Sequence, residues 1–358
     1  MLLLVSGSHS AYSRFGFATV QAIARAAYGA IQPAQFSKLE QFYSAYKDRK
    51  SDALVAFIQA GDERIAKLLQ RTQSKIVLFE DDLANIVGRM MTDPRHTFRK
   101  SVSAATMASA SLAHLAETTN AVVYPCPTPQ SLMLPFVQSL AWFFGIEPDQ
   151  ALVDKVAASM KLGSITPRMT IIEAMNAFAS DFSEAQAVLE DLDAKQIAVL
   201  EALQKFYVVR VGEDAGETVS WPVHALFDPR NRDDFLPDEI EMQGKARSLI
   251  SGPEYRLAPG SWLTEVVIGV SENLSGNKIV WTIMEGKTVR TRLDVELPPE
   301  GRLALTQAFT VADPCSPISF VFDMKEGAIE GRFSIQSIRL RRLREQSLPL
   351  PEEMAAAG

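Results

Sequence analysis

The first thirty residues decide the fold of this chain: LLLV at positions 2–5, SGSHSAYSRFG at 6–16 and FATVQAIARAAYGA at 17–30. A short apolar run, a loop of small and polar residues and an Ala-rich amphipathic segment predict a strand, a turn and a helix. Such a unit opens many α/β nucleotide-binding domains, in which ligands bind beyond the carboxyl ends of parallel strands. The stretch therefore predicts an α/β fold and a class of ligand, but it specifies no reaction.

The loop of this unit has the chemistry of an anion site. Its small residues let backbone N–H groups converge at a helix N-terminus, where the helix dipole favours negative charge. Neither G-x-x-x-x-G-K-[ST] nor G-x-G-x-x-G is present, and serine-rich turns also cap helices without binding any ligand. Helix capping is therefore the alternative interpretation. The candidate cofactor-binding residues are Ser6, Gly7, Ser8, Ser10, Ser13 and Arg14.

Composition excludes several classes of protein. The chain has 358 residues, which is long enough for two domains. Its residues are 47% hydrophobic and 22% charged, a balance typical of soluble globular proteins. A net charge of −7 argues against non-specific nucleic-acid binding, which needs a basic face. Two distant cysteines, Cys126 and Cys315, predict neither a disulfide framework nor a metal site. Without a signal-peptide pattern or an apolar stretch of membrane-spanning length, we expect a cytoplasmic protein.

Residues 31–160 continue the α/β pattern. Aromatic and aliphatic residues recur at helical spacing through 35–62, which predicts one amphipathic helix there. The elements predicted after it are a strand at Lys75–Phe79, a helix at 97–119, a strand at 121–124, a helix at 129–144 closed by Gly145, and a helix at 147–160. This order favours a parallel sheet with flanking crossover helices.

Three acidic residues, Glu80, Asp81 and Asp82, follow the strand at Lys75–Phe79. At the carboxyl end of a strand such a cluster can hold a metal or act as a base. Asp is also favoured at and just inside a helix N-terminus, so the cluster can equally cap the helix that follows. We favour capping, and we predict no metal site.

Three segments carry a family resemblance: VSGSHSAYSRFG at 5–16, VLFEDDLANIVG at 77–88 and AWFFGIEPDQALVDKVAASM at 141–160. Together they resemble sulfotransferases of the P-loop-like class that use 3′-phosphoadenosine 5′-phosphosulfate. In that family the corresponding segments are a phosphosulfate loop, a strand leading into the helix that binds the 3′-phosphate, and a late hydrophobic turn. The resemblance implies a sulfotransferase-like domain over about residues 1–160, with this nucleotide as cofactor.

The chain departs from that family in the middle segment and in the loop. Where the family holds the 3′-phosphate with an Arg and, eight residues later, a Ser, this chain has Glu80 and Gly88. The loop also lacks the usual basic residue before its small residues. A carboxylate repels a phosphate, so these departures favour a domain that has lost standard cofactor binding. The loop does contain His9, which can act as a general base towards a hydroxyl; a packed or solvent-facing His is the alternative.

From residue 240 the pattern changes to β. Apolar and polar residues alternate between Gly/Pro turns, which predicts an antiparallel β-sandwich of jelly-roll type. The basic run at 339–344 alternates with apolar residues and predicts an edge strand with a charged outer face. The predicted division is an α/β domain at 1–210, an ordered linker at 211–239, the sandwich at 240–344 and a flexible tail at 345–358.

The segment SGPEYRLAPGSWLTEVVIGV at 251–270 resembles sandwich modules found beside glycan-modifying and glycan-building enzymes in bacteria. Exposed aromatic rings stack on sugar faces and Arg side chains bind hydroxyls, so the resemblance implies a glycan or protein partner here. For Trp262 the alternative is burial at the end of the core. The candidate ligand-binding residues are Tyr255, Arg256, Trp262 and Trp281.

Two functions follow from these patterns. The first is a carbohydrate-associated protein of bacterial surface-polysaccharide biosynthesis, with a degenerate sulfotransferase-like domain and a sandwich that recognises a glycan or a polysaccharide-synthesis protein. The second is an active sulfotransferase that moves a sulfuryl group from 3′-phosphoadenosine 5′-phosphosulfate to a sugar hydroxyl, with His9 as base. Glu80 and the missing basic residue favour the first, which requires no catalysis.

Overall fold

A computed structural model describes residues 1–59, 62–204, 206–207, 218–232 and 234–343. The chain divides after Asp193 into two compact units: the first contains Met1–Asp193 and Tyr207, and the second contains the other described residues. The predicted tail at 345–358 and part of the predicted linker, 211–217, lie outside the described residues. Within the described part, no helix is long and apolar enough to cross a membrane.

The first unit alternates strands with helices. Its strands are β1 (Leu2–Gly7), β2 (Ile31–Phe36), β3 (Ala53–Ile58), β4 (Lys75–Phe79) and β5 (Asn120–Tyr124). Its helices are α1 (Ala11–Tyr28), α2 (Leu39–Lys47), α3 (Glu63–Thr72), α4 (Leu83–Met91), α5 (Phe98–Thr118), α6 (Met133–Phe143), α7 (Gln150–Ser159), α8 (Ile171–Phe178) and α9 (Asp181–Glu190). The strands form one parallel sheet in the order β2-β3-β1-β4-β5, which confirms the predicted parallel sheet with flanking helices.

The sequence predicts one helix over residues 35–62, and this prediction is wrong. They contain the end of β2, helix α2 and strand β3, which lies between β2 and β1. All six residues of β3, ALVAFI, are buried. A strand covered on both faces has no polar–apolar alternation, so its apolar residues simply extended the helical pattern of α2.

The sheet of the first unit has an apolar core on each face. Successive residues of a strand point to opposite faces, so Leu3 and Val5 join one core while Leu4 joins the other. The opening helix packs closely on the sheet at Gly16, where a Cβ atom would lie 2.6 Å from the ring of Phe79. This contact fixes the start of α1 against the end of β4.

The second unit contains helix α10 (Ala194–Gln204) and ten strands among its described residues. The strands are β6 (Thr218–Trp221), β7 (Ile240–Glu241), β8 (Ser248–Ile250), β9 (Pro253–Tyr255), β10 (Gly260–Ser271), β11 (Lys278–Glu285), β12 (Thr288–Glu296), β13 (Gly301–Val311), β14 (Ile318–Met324) and β15 (Arg332–Arg342). One sheet has the order β13-β10-β15-β6, with β7 on β15; the other has the order β12-β11-β14-β8, with β9 on β14.

The two antiparallel sheets face each other, which confirms the predicted β-sandwich. Trp221 of one sheet contacts Phe320 of the other with 5.3 Å between ring centroids. Phe333 and Phe322 make a second contact between the sheets, at 5.7 Å. The side chains that alternate inward on each strand therefore form a shared core.

Two details of the second unit differ from the sequence predictions. Strand β6 lies in the segment predicted as a linker, yet it pairs with β15 and its Trp221 is buried. Strand β15 is consequently not an edge: it is paired with both β10 and β6. The alternation itself is as predicted, because Ile338 and Leu340 are buried while Arg339 is exposed. A strand of four residues carries too little pattern to predict such a pairing.

Candidate functional site

A cavity of about 460 Å³ lies at the carboxyl edge of the parallel sheet in the first unit. It is formed by the loop after β1, the ends of β2 and β3, and the end of α4 with the residues that follow it. Ligands of open α/β sheets bind at this edge, and the volume is in the range of small-molecule sites. The cavity is therefore the candidate functional site of the first unit.

The serine loop after β1 is held by its own hydroxyl groups. Ser10 is the N-cap of α1, and its Oγ accepts a hydrogen bond from the Ser13 backbone N–H at 3.1 Å. The Ser13 hydroxyl donates to the carbonyl of Phe79 at 3.2 Å, and the Ser6 hydroxyl donates to the carbonyl of Ile58 at 2.7 Å. These bonds attach the loop to β4 on one side and to β3 on the other.

The structure separates the six predicted cofactor-binding residues into two groups. Ser8, Ser10 and Arg14 line the cavity. The other three, Ser6, Gly7 and Ser13, serve the loop itself. At Gly7 a Cβ atom would lie only 2.5 Å from the Ser13 Oγ, so glycine lets the chain pass. The capping alternative also applies to Ser10, which lines the cavity as well as capping α1.

Cationic and imidazole side chains meet in the cavity. Arg14 comes from the start of α1, Arg89 from α4 and His96 from the loop after α4. Asp93 also lines the cavity, but the Arg95 guanidinium binds its carboxylate at 2.5 Å and holds the pKa of Asp93 well below its usual range. The negative charge of Asp93 is thus compensated, which leaves the lining suited to an anion.

His9 lies at the exposed tip of the serine loop. Partial desolvation in the cavity lowers the pKa of His9, and the positive charge of nearby His96 lowers it further. At neutral pH the His9 imidazole is therefore uncharged and can accept a proton. This is the protonation state that a general base requires.

The acidic cluster after β4 organises the helix start. Asp81 is buried, and its Oδ1 accepts hydrogen bonds at 2.8 Å from both the Asp82 backbone N–H and the Asn85 amide. It also bonds the Ser10 hydroxyl, and burial raises the pKa of Asp81. Asp82 occupies the N-cap position of α4, but its side chain makes no capping hydrogen bond there. Among the described residues, no three His, Cys, Asp or Glu side chains form a group that could hold a metal ion.

The two residues that depart from the sulfotransferase pattern, Glu80 and Gly88, both contact neighbouring elements of the fold. Glu80 is buried, its backbone N–H donates to the Tyr124 carbonyl at 3.0 Å, and it does not line the cavity. A Cβ atom at Gly88 would lie 2.7 Å from the carbonyl oxygen of Ala185, on helix α9. Glycine at this position therefore allows α4 and α9 to pack closely.

The aromatic residues predicted to bind a glycan belong to the core of the second unit. Trp281, Tyr255 and Trp262 are 0%, 3% and 4% exposed. The Trp281 ring stacks on Phe322 at 5.7 Å, and the Trp262 indole N–H donates to the Ala258 carbonyl at 3.0 Å. A buried ring presents no face to a sugar, so the structure gives these three residues a packing role instead.

Arg256, the fourth residue predicted to bind a glycan, is engaged within the second unit. Its Nε donates to the Cys315 carbonyl at 3.2 Å, and its Nη1 donates to the Glu254 carbonyl at 3.1 Å. These bonds tie the segment after β9 to the loop before β14. Arg256 therefore serves the connection between two loops.

Several cavity residues escaped the sequence analysis. Arg89 and His96 follow the acidic cluster, and Gln35 and Gln59 lie at the ends of β2 and β3. Gln35 and Gln59 could not be placed in a site from the sequence, because its pattern did not predict strands β2 and β3, whose ends they occupy. The signal available was the apolar run ALVAFI at 53–58, which ends directly before the polar Gln59.

No protein-family model matches this sequence, and no curated protein matches it. Among solved structures, the chain is similar to a family 16 carbohydrate-binding module at 14% identity, over 28% of this chain and 73% of that chain, with a TM-score of 0.22. A xylan-binding module, CBM15, matches at 11% identity over 36% of this chain and 99% of that chain, with a TM-score of 0.27. A module from Cellvibrio mixtus lichenase 5A in complex with cellotriose matches at 12% identity over 37% of this chain and 75% of that chain, with a TM-score of 0.18.

Proposed function

We propose that the first unit binds an organic ligand that carries a phosphate or sulfate group. The observation that carries this proposal is the convergence of charged and polar groups from separate elements in one cavity at the carboxyl edge of the sheet. These groups are the N-terminus of α1, Ser8, Ser10, His9, Arg14, Arg89 and His96.

The guanidinium groups and the helix N-terminus favour an oxyanion for physical reasons. A guanidinium presents forked donors that match phosphate or sulfate oxygens, and such charge-assisted bonds are stronger than neutral ones. The helix N-terminus adds a partial positive charge. Arg14 and Arg89 come from different helices, and both line the cavity.

The remaining lining supports an organic part of the ligand. Phe17 and Phe57 supply an apolar wall, and their ring centroids are 5.1 Å apart. Gln35 and Gln59 supply amide donors and acceptors at the ends of two strands. A bare inorganic ion uses none of these groups, whereas a phosphorylated or sulfated organic molecule uses both ends of the cavity.

Calorimetric titration of the full chain with adenosine 3′,5′-bisphosphate and with inorganic sulfate tests this proposal. We expect binding that weakens at higher salt, and a loss of about tenfold or more in affinity for Arg14→Gln and for Arg89→Gln. Arg25→Gln is the matched control, because Arg25 lies on the same helix but bonds Gln21, at 3.3 Å. If neither probe produces heat at millimolar concentration, the proposal is contradicted.

A second candidate is transfer of a sulfuryl group to a sugar hydroxyl, with 3′-phosphoadenosine 5′-phosphosulfate as donor. The uncharged His9 favours it, because such an imidazole can take the proton of the attacking hydroxyl. The Arg and Ser that hold the 3′-phosphate of this nucleotide in the family are absent from this chain. We expect His9→Ala to abolish turnover while the circular dichroism spectrum is unchanged; unaltered turnover excludes His9 as the base.

We also propose a carbohydrate-associated role for the second unit, in bacterial surface-polysaccharide biosynthesis, as the resemblance of residues 251–270 implies. What supports it is the polar outer face of the sheet β13-β10-β15, where Arg302 and Gln336 are exposed. Retention of the full chain on immobilised neutral and acidic polysaccharides tests this role. A chain that is retained on none of them contradicts it.

A further inference from the structure

We propose that one neutral sugar residue of a glycan binds in a second cavity, of about 210 Å³, on the outer face of the sheet β13-β10-β15. The inference rests on the proposed carbohydrate role of the second unit and assigns that role to particular residues. None of these is among the four that the sequence analysis selected.

The floor of this cavity lies at a glycine, which has no side chain. Gly269 of β10 pairs with Arg302 of β13 on one side and with Ser334 of β15 on the other. A Cβ atom at position 269 would lie 2.5 Å from the Ser334 Oγ and 2.7 Å from the Gln336 Nε2. Glycine therefore lowers the sheet surface at this point and lets two polar side chains stand over it.

One wall of the cavity is set by a β-bulge. The register of β10 and β15 shifts between Val267 and Ile268: Val267 pairs with Ser337 and Ile268 pairs with Ile335. Gln336 is the extra residue between these pairs. Bulges redirect side chains and are frequent beside functional sites, and here the redirected amide reaches over Gly269.

The other lining groups are polar and nearly balanced in charge. Ser271 and Ser334 contribute hydroxyls, and Glu300 and Arg302 contribute one charge of each sign. Arg332 lines the cavity with Glu239 and pairs with it, the Nη1–Oε2 distance being 3.5 Å. Closely placed donors and acceptors without net charge suit the adjacent hydroxyls of a neutral sugar. An anionic ligand finds no net positive charge here, because two carboxylates match the two arginines of the lining.

The cavity, of about 210 Å³, is large enough for one sugar ring. Its aromatic lining residue, Phe333, is fully buried, so hydrogen bonds rather than ring stacking carry recognition. We therefore expect weak binding, with a Kd of the order of 1 mM.

Saturation-transfer-difference NMR, which detects weak ligands, tests the site on the full chain. The probes are cellotriose, xylotriose and β-1,4-galactotriose, with trigalacturonate as the charged comparator. We expect at least one neutral trisaccharide to bind with saturation concentrated on one ring, and Gly269→Ala and Gln336→Ala each to weaken it at least fivefold.

The matched control is Thr306→Ala, which changes an exposed residue of the same sheet face, opposite Glu265 and outside the cavity, and which should leave binding unchanged. If no neutral trisaccharide binds, the carbohydrate role itself fails. If one binds equally to Gly269→Ala and Gln336→Ala, both folded by circular dichroism, the role stands and this cavity is overturned. Tighter binding of trigalacturonate overturns the preference for a neutral sugar.

Discussion

The two units use the residues that stand out in their sequences in opposite ways. In the first unit, the serine loop is a structural element and also lines a cavity, since Ser10 caps α1 and borders the candidate site. In the second unit, Trp281 and Tyr255 are wholly engaged in the core. The prominent loop residues remained available to a ligand, whereas the prominent aromatic residues did not.

The difference follows from how much surface each residue type has to bury. A serine hydroxyl forms a hydrogen bond with a backbone group, and the side chain has little apolar surface to bury, so its loop can stay at the surface. A tryptophan or tyrosine contributes one of the largest gains from burial, and a sandwich with two facing sheets offers the space. Aromatic residues in a β-rich sequence therefore indicate a core before they indicate a ligand site.

The largest effect on stability is expected for Trp281→Ala. Its fully buried ring stacks on Phe322, so truncation should lower the free energy of unfolding of the second unit by about 3–5 kcal/mol. Trp142, which is 63% exposed, provides the matched Trp142→Ala control, with an expected change within about 0.5 kcal/mol. Hydrogen exchange of peptides from the sandwich measures the loss; equal protection in both variants contradicts the packing role.

The next effect concerns a loop residue that the sequence placed among the ligand groups. In Gly7→Ala the new Cβ atom would lie 2.5 Å from the Ser13 Oγ and 3.1 Å from the carbonyl oxygen of Phe79. We expect the free energy of unfolding to fall by about 1–3 kcal/mol, measured by urea denaturation. Gly7→Ala combined with Ser13→Ala should regain part of the loss, because the closest contact is then removed. An unchanged single variant contradicts the close approach.

A smaller effect is expected for the helix cap. Ser10→Ala removes the acceptor of the Ser13 backbone N–H and should lower the free energy of unfolding by about 1 kcal/mol. Ser10→Asn retains a capping oxygen and should restore most of that stability. If both variants bind adenosine 3′,5′-bisphosphate like the parent chain, Ser10 caps α1 but does not contribute to ligand binding.

The smallest effect is a pH dependence. Because the folded-state pKa of His9 is lowered below its ordinary 6.5, the unfolded chain takes up this proton first, and stability is lost as pH falls below about 6.5. A bound anion favours the charged imidazole, so sulfate affinity should rise as pH falls through the pKa of His9. Calorimetry from pH 7.5 to 5.5 measures the slope, which should be smaller in His9→Gln. An identical slope shows that His9 does not face the anion.

Much of the fold could be predicted because its signals are local. The opening strand, loop and helix, the strand at Lys75–Phe79 and the alternating strands from residue 240 each carry their pattern within a few residues. Strand β3 could not be predicted in the same way, since burial on both faces removes the alternation that identifies a strand.

The candidate site was predicted in part. The serine loop and Arg14 are contiguous with the opening strand, so their position at the sheet edge follows from the local pattern. Arg89 and His96 are far along the chain, and nothing in their neighbourhood indicates that they approach Ser8. Such meetings depend on how α4 crosses the sheet edge, which is a property of packing.

Local sequence patterns specify the α/β character of the first unit, the β character of the second and the serine loop at a helix start, because periodicity and capping act over neighbouring residues. Tertiary structure alone decided which of the prominent residues stay accessible. It buried Trp281 and left a depression over Gly269, whose polar walls come from strands β13 and β15. The physical reason is that burial and register depend on partners distant in the chain, which no local pattern specifies.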